Sequence, residues 1–256
     1  KDIEEKYEEL YHAGNTYLII SGDVVFEEVV ALVEQYFSQW QPKKVSYTEL
    51  NDPINAPTTT LHFVEMPNAV QTEIALLNLA SLSRQNPDYF PIMVANQVLG
   101  GGGEARLFLN LREDKGYTYG AYSSFRTEHK TKSIFRAGSS VRNEVADSAT
   151  VEILKEVKRL NNEAITNEEL ELVKAKYAGN FILSLENPEL IASFAFNVLT
   201  QDLDKNFYKD FLKNINEVQP EDVQRVAKKY FLYDQARIVV TGKGREILDA
   251  LENISF

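Results

Sequence analysis

The sequence predicts an α+β fold: a two-layer domain with a mainly antiparallel sheet and helices on one face. Three observations predict it. Short strand-like segments fall in adjacent pairs, one pair around Pro67-Asn68 and one around the polar turn TEHKT at 127–131. Long runs of helical period come after the second pair, and strands followed by helices argue for an antiparallel layered domain rather than βαβ units. The two ends of the chain also resemble each other, since Tyr7–Phe37 reads helix, YLIISGD, helix and Val223–Leu251 reads helix, RIVVTGK, helix. Such self-similarity points to tandem homologous domains. On this reading residues 1–40 are the tail of a preceding copy, 41–57 a linker carrying Pro42, Pro53 and Pro57, and 58–256 the domain itself.

The elements follow in order. KYEELYHAGN is a short helix with Leu10 and Tyr11 on its apolar side, stopped at Gly14-Asn15. TYLIIS (Thr16–Ser21) is expected as a buried strand, and Phe26–Phe37 as an amphipathic helix with Val29, Val30, Val33 and Phe37 on one face. TTLHFVEM and AVQTEIALLNLA are expected to pair as a hairpin across Pro67-Asn68. PDYFPIMVANQVL is helical, with Pro91 tolerable only near the first turn. EARLFLNLRED forms a second short helix ending at Lys115-Gly116, a cation in the last turn with glycine just beyond. YTYGAYSSF and SIFRAGSSV are strands, and DSATVEILKEVKRL is a helix with Ala149, Ile153, Val157 and Leu160 on one face.

Thr166 and Glu169 form a capping box, with Ile165 and Leu170 placed as its hydrophobic staple. The long helix that follows breaks at Asn187-Pro188 and resumes through Leu199. KNFYKDFLKNI and PEDVQRVAKKYF add two helices, the second with Pro220 at its first position. RIVVTG is a strand and REILDALENI a last helix.

Composition excludes several function classes. A chain of 256 residues is long enough to bury a substantial core, and its 44% apolar and 25% charged residues are ordinary for a globular protein. The net charge of −11, without a basic stripe of interleaved aromatics, argues against nucleic acid as a partner. With no cysteine there are no disulfides, no thiolate metal sites and no cysteine nucleophile. Apolar runs such as Ile74–Ala80 are far too short for a membrane span. The first residue is a lysine, which is expected of a processed product or an excised piece, any export signal being lost with the upstream part.

The run Gly100–Gly103 raises the question of a phosphate cradle. A phosphate loop follows a strand and opens a helix, and its Walker form ends in Gly-Lys-Ser/Thr. Here the preceding segment is helical, and Glu104-Ala105 follow. A glutamate at that helix start competes with phosphate for the same N–H groups. The run is better read as a free turn that lets one helix stop and another start at a sharp angle. GKGRE at 242–246 is weaker still as a phosphate motif.

LGGGGEARLFLNLREDKGYTYGAYSSF resembles the hallmark of the second domain of pitrilysin-type (insulinase-like, M16) zinc peptidases, relatives of the mitochondrial processing peptidase and of the cytochrome bc1 core subunits. The shared pattern is the glycine run, Arg106-Leu107, the helix end Leu111-Arg112-Glu113, and Tyr119 seven residues after Arg112. SGDVVFEEVVALVEQYFSQW looks like the strand-turn-helix that closes the first domain, and the prolines after it like the interdomain linker. The resemblance implies that an upstream zinc-binding domain, in the same polypeptide or a partner subunit, holds the metal with an inverted His-x-x-Glu-His motif. The two domains would enclose a chamber in which peptides are hydrolysed. Arg112 and Tyr119 would reach across it as catalytic residues, the first holding substrate carbonyls and the second the developing oxyanion. The same resemblance raises a bacterial periplasm or envelope location, and it leaves open a non-catalytic scaffold or assembly subunit. On residue chemistry alone, Arg112 and Tyr119 read rather as a helix-end arginine and a core tyrosine. Tyr117 is expected on the same strand face as Tyr119 and Tyr122 on the other, both packed.

This chain is expected to bind no metal of its own, and so to be inactive alone; zinc in the full enzyme would sit on the missing half. His12, His62 and His129 are widely separated. HFVEM (His62–Met66) has His-x-x-Glu but methionine in place of the second histidine, and on a strand the odd offset turns His62 and Glu65 to opposite faces. His129 in a turn and His12 at a helix end are expected to be solvated or locally bonded.

Overall fold

The computed structural model describes residues 1–44 and 50–254. It contains helices α1 (Asp2–Leu10), α2 (Phe26–Phe37), α3 (Tyr89–Gly100), α4 (Arg106–Phe108), α5 (Ala146–Asn162), α6 (Asn167–Ser184), α7 (Pro188–Thr200), α8 (Phe211–Glu217), α9 (Pro220–Tyr230) and α10 (Gly244–Leu251). Its strands are β1 (Thr60–Glu65), β2 (Gln71–Ala80), β3 (Thr118–Arg126), β4 (Ser133–Arg142) and β5 (Arg237–Gly242). Two compact units arise, one from residues 1–51 and 180–208, the other from 52–179 and 209–256.

The second unit holds a five-stranded sheet in the order β1-β5-β2-β4-β3. β1 runs parallel to β5, and the other neighbours are antiparallel. The expected hairpin of β1 and β2 does not form, because β5 enters between them and pairs Ile238 with both Leu61 and Leu76. Met66–Ala69 still makes its turn, Ala69 N–H donating to Met66 O at 3.0 Å. The turn carries the chain over the slot that β5 fills from more than 150 residues away, a contact invisible to local signals.

One face of the sheet carries the core. Ile74, Leu76, Phe135, Ala137, Ile238 and Val240 point into it, against Val94, Ala95 and Leu99 of α3, Ile153, Val157 and Leu160 of α5, and Val223, Val226 and Ala227 of α9. Phe135 stacks on Phe231 with ring centroids 4.2 Å apart. Each buried Val, Leu, Ile or Phe among them contributes roughly 1.5–3 kcal/mol, which fastens the helices to this face. Buried Asn78 is paired on both sides of its amide: it donates to Tyr230 O at 2.9 Å and accepts from Leu232 N–H at 3.0 Å.

Local signals are met where they rest on the backbone. Glu169 N–H donates to Thr166 Oγ1 at 3.1 Å and Thr166 N–H to Glu169 Oε2 at 2.9 Å, closing the capping box over buried Ile165 and Leu170. The helix predicted for residues 205–215 begins later, at Phe211. Asp204 takes the Asn206 N–H at 2.7 Å and makes a local turn instead.

In the first unit Thr16–Ser21 has no ladder partner among the described residues, although Thr16 is extended with φ −127° and ψ 138°. The expected buried strand is therefore an unpaired segment, with Tyr17, Leu18 and Ile20 exposed. Tyr17 meets Phe196 edge-on at 5.9 Å, and Phe194 stacks on Tyr208 at 3.8 Å. Residues 41–44 and 50–57 are without helix or strand, and 45–49 of the expected linker lie outside the described residues.

Candidate functional site

The site is assembled on the turn from α3 to β3. The glycine run ends α3 and turns the chain, and a Cβ on Gly100 would lie 2.2 Å from the backbone nitrogen of Ser123, so only glycine lets α3 press on β3 this closely. The chain then re-enters a helix whose α turn passes into a π turn over Leu109–Asp114. Its wide spacing shows in the Lys115 N–H donating to Asn110 O at 3.0 Å. π turns insert one residue and redirect the side chains around them. Leu107 and Leu111 are fully buried, whereas Arg112, the next residue, is 46% exposed. Gly116 ends the segment at φ +62°, donating to Arg112 O at 3.1 Å.

Three anchors hold this short segment. Buried Arg106 makes a two-point pair with Glu169 of α6, Nε to Oε1 at 2.8 Å and Nη2 to Oε2 at 3.0 Å. Asn110 donates to Glu152 and Glu156 of α5 at 2.8 and 2.7 Å. Phe108 meets Tyr122 of β3 at 6.1 Å and lies beneath the Arg112 guanidinium, 4.7 Å from its carbon. Arg112 Nε also lies 3.6 Å from Glu113 Oε1. Burial alone would push the Glu169 carboxyl up, but the Arg106 and Thr166 hydrogen bonds outweigh it and hold the carboxyl below its ordinary range.

Tyr119 stands on a β-bulge. The ladder pairs Thr118 with Val141 but Ala121 with Ser139, so Tyr119 and Gly120 share the space opposite Ser140. Hydroxyls pin the irregularity: Thr118 Oγ1 accepts from Gly120 N–H at 3.1 Å and donates to Ser140 O at 2.6 Å, while Ser139 Oγ donates to Gly120 O at 2.8 Å. Tyr119 is 87% exposed. The extra residue also changes the parity of the strand. Tyr122 is therefore not on a packed face as expected; it pairs opposite Gly138, is 51% exposed and lays its ring over Gly120. Tyr117 is half-buried.

The donors among the described residues do not fit a zinc ion. His12 is 1% exposed and its Nδ1 accepts from the N–H groups of Gly14 and Lys43, at 3.1 and 3.3 Å. His62 Nε2 lies 3.1 Å from Thr60 Oγ1. Glu65 instead accepts from Gly244 N–H at the start of α10, at 3.1 Å. Among the described residues no three His, Asp or Glu side chains converge. No helix among them is long and apolar enough to cross a membrane.

The fold and this geometry define a class: a layered α+β domain that displays polar residues on a π turn and a β-bulge and gathers no metal-ligand trio of its own among the described residues. The chain belongs to the Peptidase M16 inactive domain family, whose model matches residues 1–177. It is 26% identical over 246 residues to the "Uncharacterized zinc protease YmxG" of Bacillus subtilis, covering 95% of this chain and 58% of that protein. A second Bacillus subtilis relative, "Probable inactive metalloprotease YmfF", is 20% identical and is matched over 90% of this chain and 52% of its own length. The crystal structure of a peptidase M16 inactive domain from Pseudomonas fluorescens superposes with a TM-score of 0.76 at 25% identity, over 86% of this chain and 52% of that one. The chain thus spans little more than half the length of these relatives. The resemblance read from the glycine run and Leu-Arg-Glu is borne out, and the α+β fold with it.

Proposed function

We propose that this chain is the substrate-contacting half of a zinc-dependent peptidase, completing a site whose metal is held by an upstream M16 domain, and that it has no activity alone. The observation that carries the reading is the exposure of Arg112 and Tyr119 on two irregular, anchored elements, where a core arginine or tyrosine would be packed. A guanidinium held over an aromatic ring can donate to peptide carbonyls with little reorganisation, and an exposed phenol can donate to an oxyanion. The chain's own part in the reaction is to bind, orient and stabilise.

Residues 1–40 fit the tail of that upstream domain, with 41–57 as the linker and 58–256 as the M16-type domain. The unpaired apolar segment Thr16–Ser21 supports this, since its counterpart β5 sits between two strands. The test is to reconstitute the chain with its zinc-binding domain. Arg112→Ala and Tyr119→Phe should each abolish most turnover while zinc content stays that of the wild type. Full cleavage by either variant removes that residue from the proposed role.

A further inference from the structure

The sheet face opposite the helices is uncovered within the sheet-bearing unit, and its charge runs against that of the chain. Ladder pairing aligns Thr60, Arg237, Leu77, Arg136 and Ser124 in one row across all five strands. The next row is His62, Val239, Ala75, Gly138 and Tyr122. Arg136 and Arg237 are exposed, and no ion pair is made by either among the described residues. Arg142 lies at one end of β4 and Arg126 at the far end of β3, the latter paired to Glu128 at 2.7 Å. Glu73 is the one carboxylate on these open-face ladder positions. A protein of net charge −11 therefore presents a cationic sheet face, with the methyl of Ala75 and the bare backbone of Gly138 side by side between the arginine row and the strand ends.

We infer that this face binds an acidic polypeptide segment, lying across the strands with its carboxylates on Arg136 and Arg237. The inference deepens the proposed function by naming the substrate class. Arg136 and Arg237 lie two strands apart, about 10 Å by the spacing of a sheet. Carboxylates two to four residues apart in an extended peptide span that distance, at about 3.3 Å per residue. Guanidinium groups accept carboxylates in two-point pairs, and unpaired arginines need no prior bond broken. An acidic remainder of the chain repels a polyanion as a whole, so a short acidic stretch within a peptide fits better than nucleic acid.

The experiment measures anisotropy of a labelled peptide rich in Asp and Glu, the same peptide with Lys in their place, and a single-stranded oligonucleotide, each titrated with the chain. The acidic peptide should bind at least tenfold tighter than the lysine form, and weaken as salt rises. The R136Q/R237Q variant should lose that preference, while R245Q on α10 keeps it. Equal binding of both peptides, or a preference untouched by R136Q/R237Q, overturns the inference. Tighter binding of the oligonucleotide at the same arginines overturns it in favour of nucleic acid. Because binding is read without turnover, the R136Q/R237Q comparison tests this inference by itself, whereas undiminished cleavage by Arg112→Ala or Tyr119→Phe would sink the proposed function alone.

Discussion

The guanidinium carbon of Arg112 lies 4.7 Å above the ring of Phe108, four residues earlier on the same short segment. Phe108 is 8% exposed and touches Tyr122, so the arginine rests on a side chain that the core immobilises. A half-exposed contact of this kind is worth about 0.5–1 kcal/mol. In the reconstituted enzyme Phe108→Leu should keep the fold and lower kcat/KM roughly two- to fivefold, the same energy expressed as a rate. A variant with unaltered kcat/KM would show that the ring does not position Arg112.

The Arg106–Glu169 pair ties the start of that segment to α6. Arg106 is buried but Glu169 is 32% exposed, so removing one member costs less than the roughly 3–5 kcal/mol of a fully buried pair. Arg106→Ala should still lower the urea midpoint. Glu169→Gln keeps the capping geometry but not the charge, and should lose about 1–3 kcal/mol. Urea curves for both singles and the double variant give the coupling; additive losses would mean that the pair does not act as a unit.

Asp88, at the start of α3, accepts from Arg225 Nη1 at 2.5 Å, Lys229 Nζ at 2.8 Å and Tyr230 OH at 2.8 Å. Burial by itself raises its pKa, but the Lys229, Arg225 and Tyr230 bonds outweigh it and lower the value to about 2. A lowered carboxylate stabilises the fold above its unfolded pKa, near 4, and that stability drains away as pH falls toward about 2. The melting temperature should fall through this window, and fall less steeply in Asp88→Asn, which lacks the titration and starts lower at pH 7. Parallel acid profiles for the two proteins would contradict this.

Thr16–Ser21 and α2 expose Tyr17, Leu18, Ile20, Val30 and Phe37. If an upstream domain supplies the strands that flank this segment, its amides should exchange at least about tenfold more slowly when that domain is present. Hydrogen exchange on the chain alone and on the two-domain protein makes the comparison. Unchanged exchange over residues 16–21 would argue against their placement as the tail of that domain.

Features closed within a few residues were readable from the chain. The capping box needs only Thr166 and Glu169 three positions apart, Pro220 opens α9 through its own fixed φ, and Gly116 ends a helix because it alone takes φ +62° without penalty. The glycine run followed by Leu-Arg-Glu pointed to the M16 family for a related reason, since side-chain type and spacing there serve one turn.

Tertiary structure decided the rest. β5 divides β1 from β2 because hydrogen bonds between strands pay no regard to sequence distance. The bulge at Tyr119-Gly120 is held because the Thr118 and Ser139 hydroxyls satisfy the stray backbone groups of Gly120 and Ser140, and that one extra residue turns Tyr122 to the open face. The π turn behind Arg112 is anchored by Glu169, Glu152 and Glu156, partners 63, 42 and 46 residues from the side chains they hold. The row of Arg136 and Arg237 likewise appears only when register is set, since alternation along one strand says which face a residue takes but never which neighbours stand beside it.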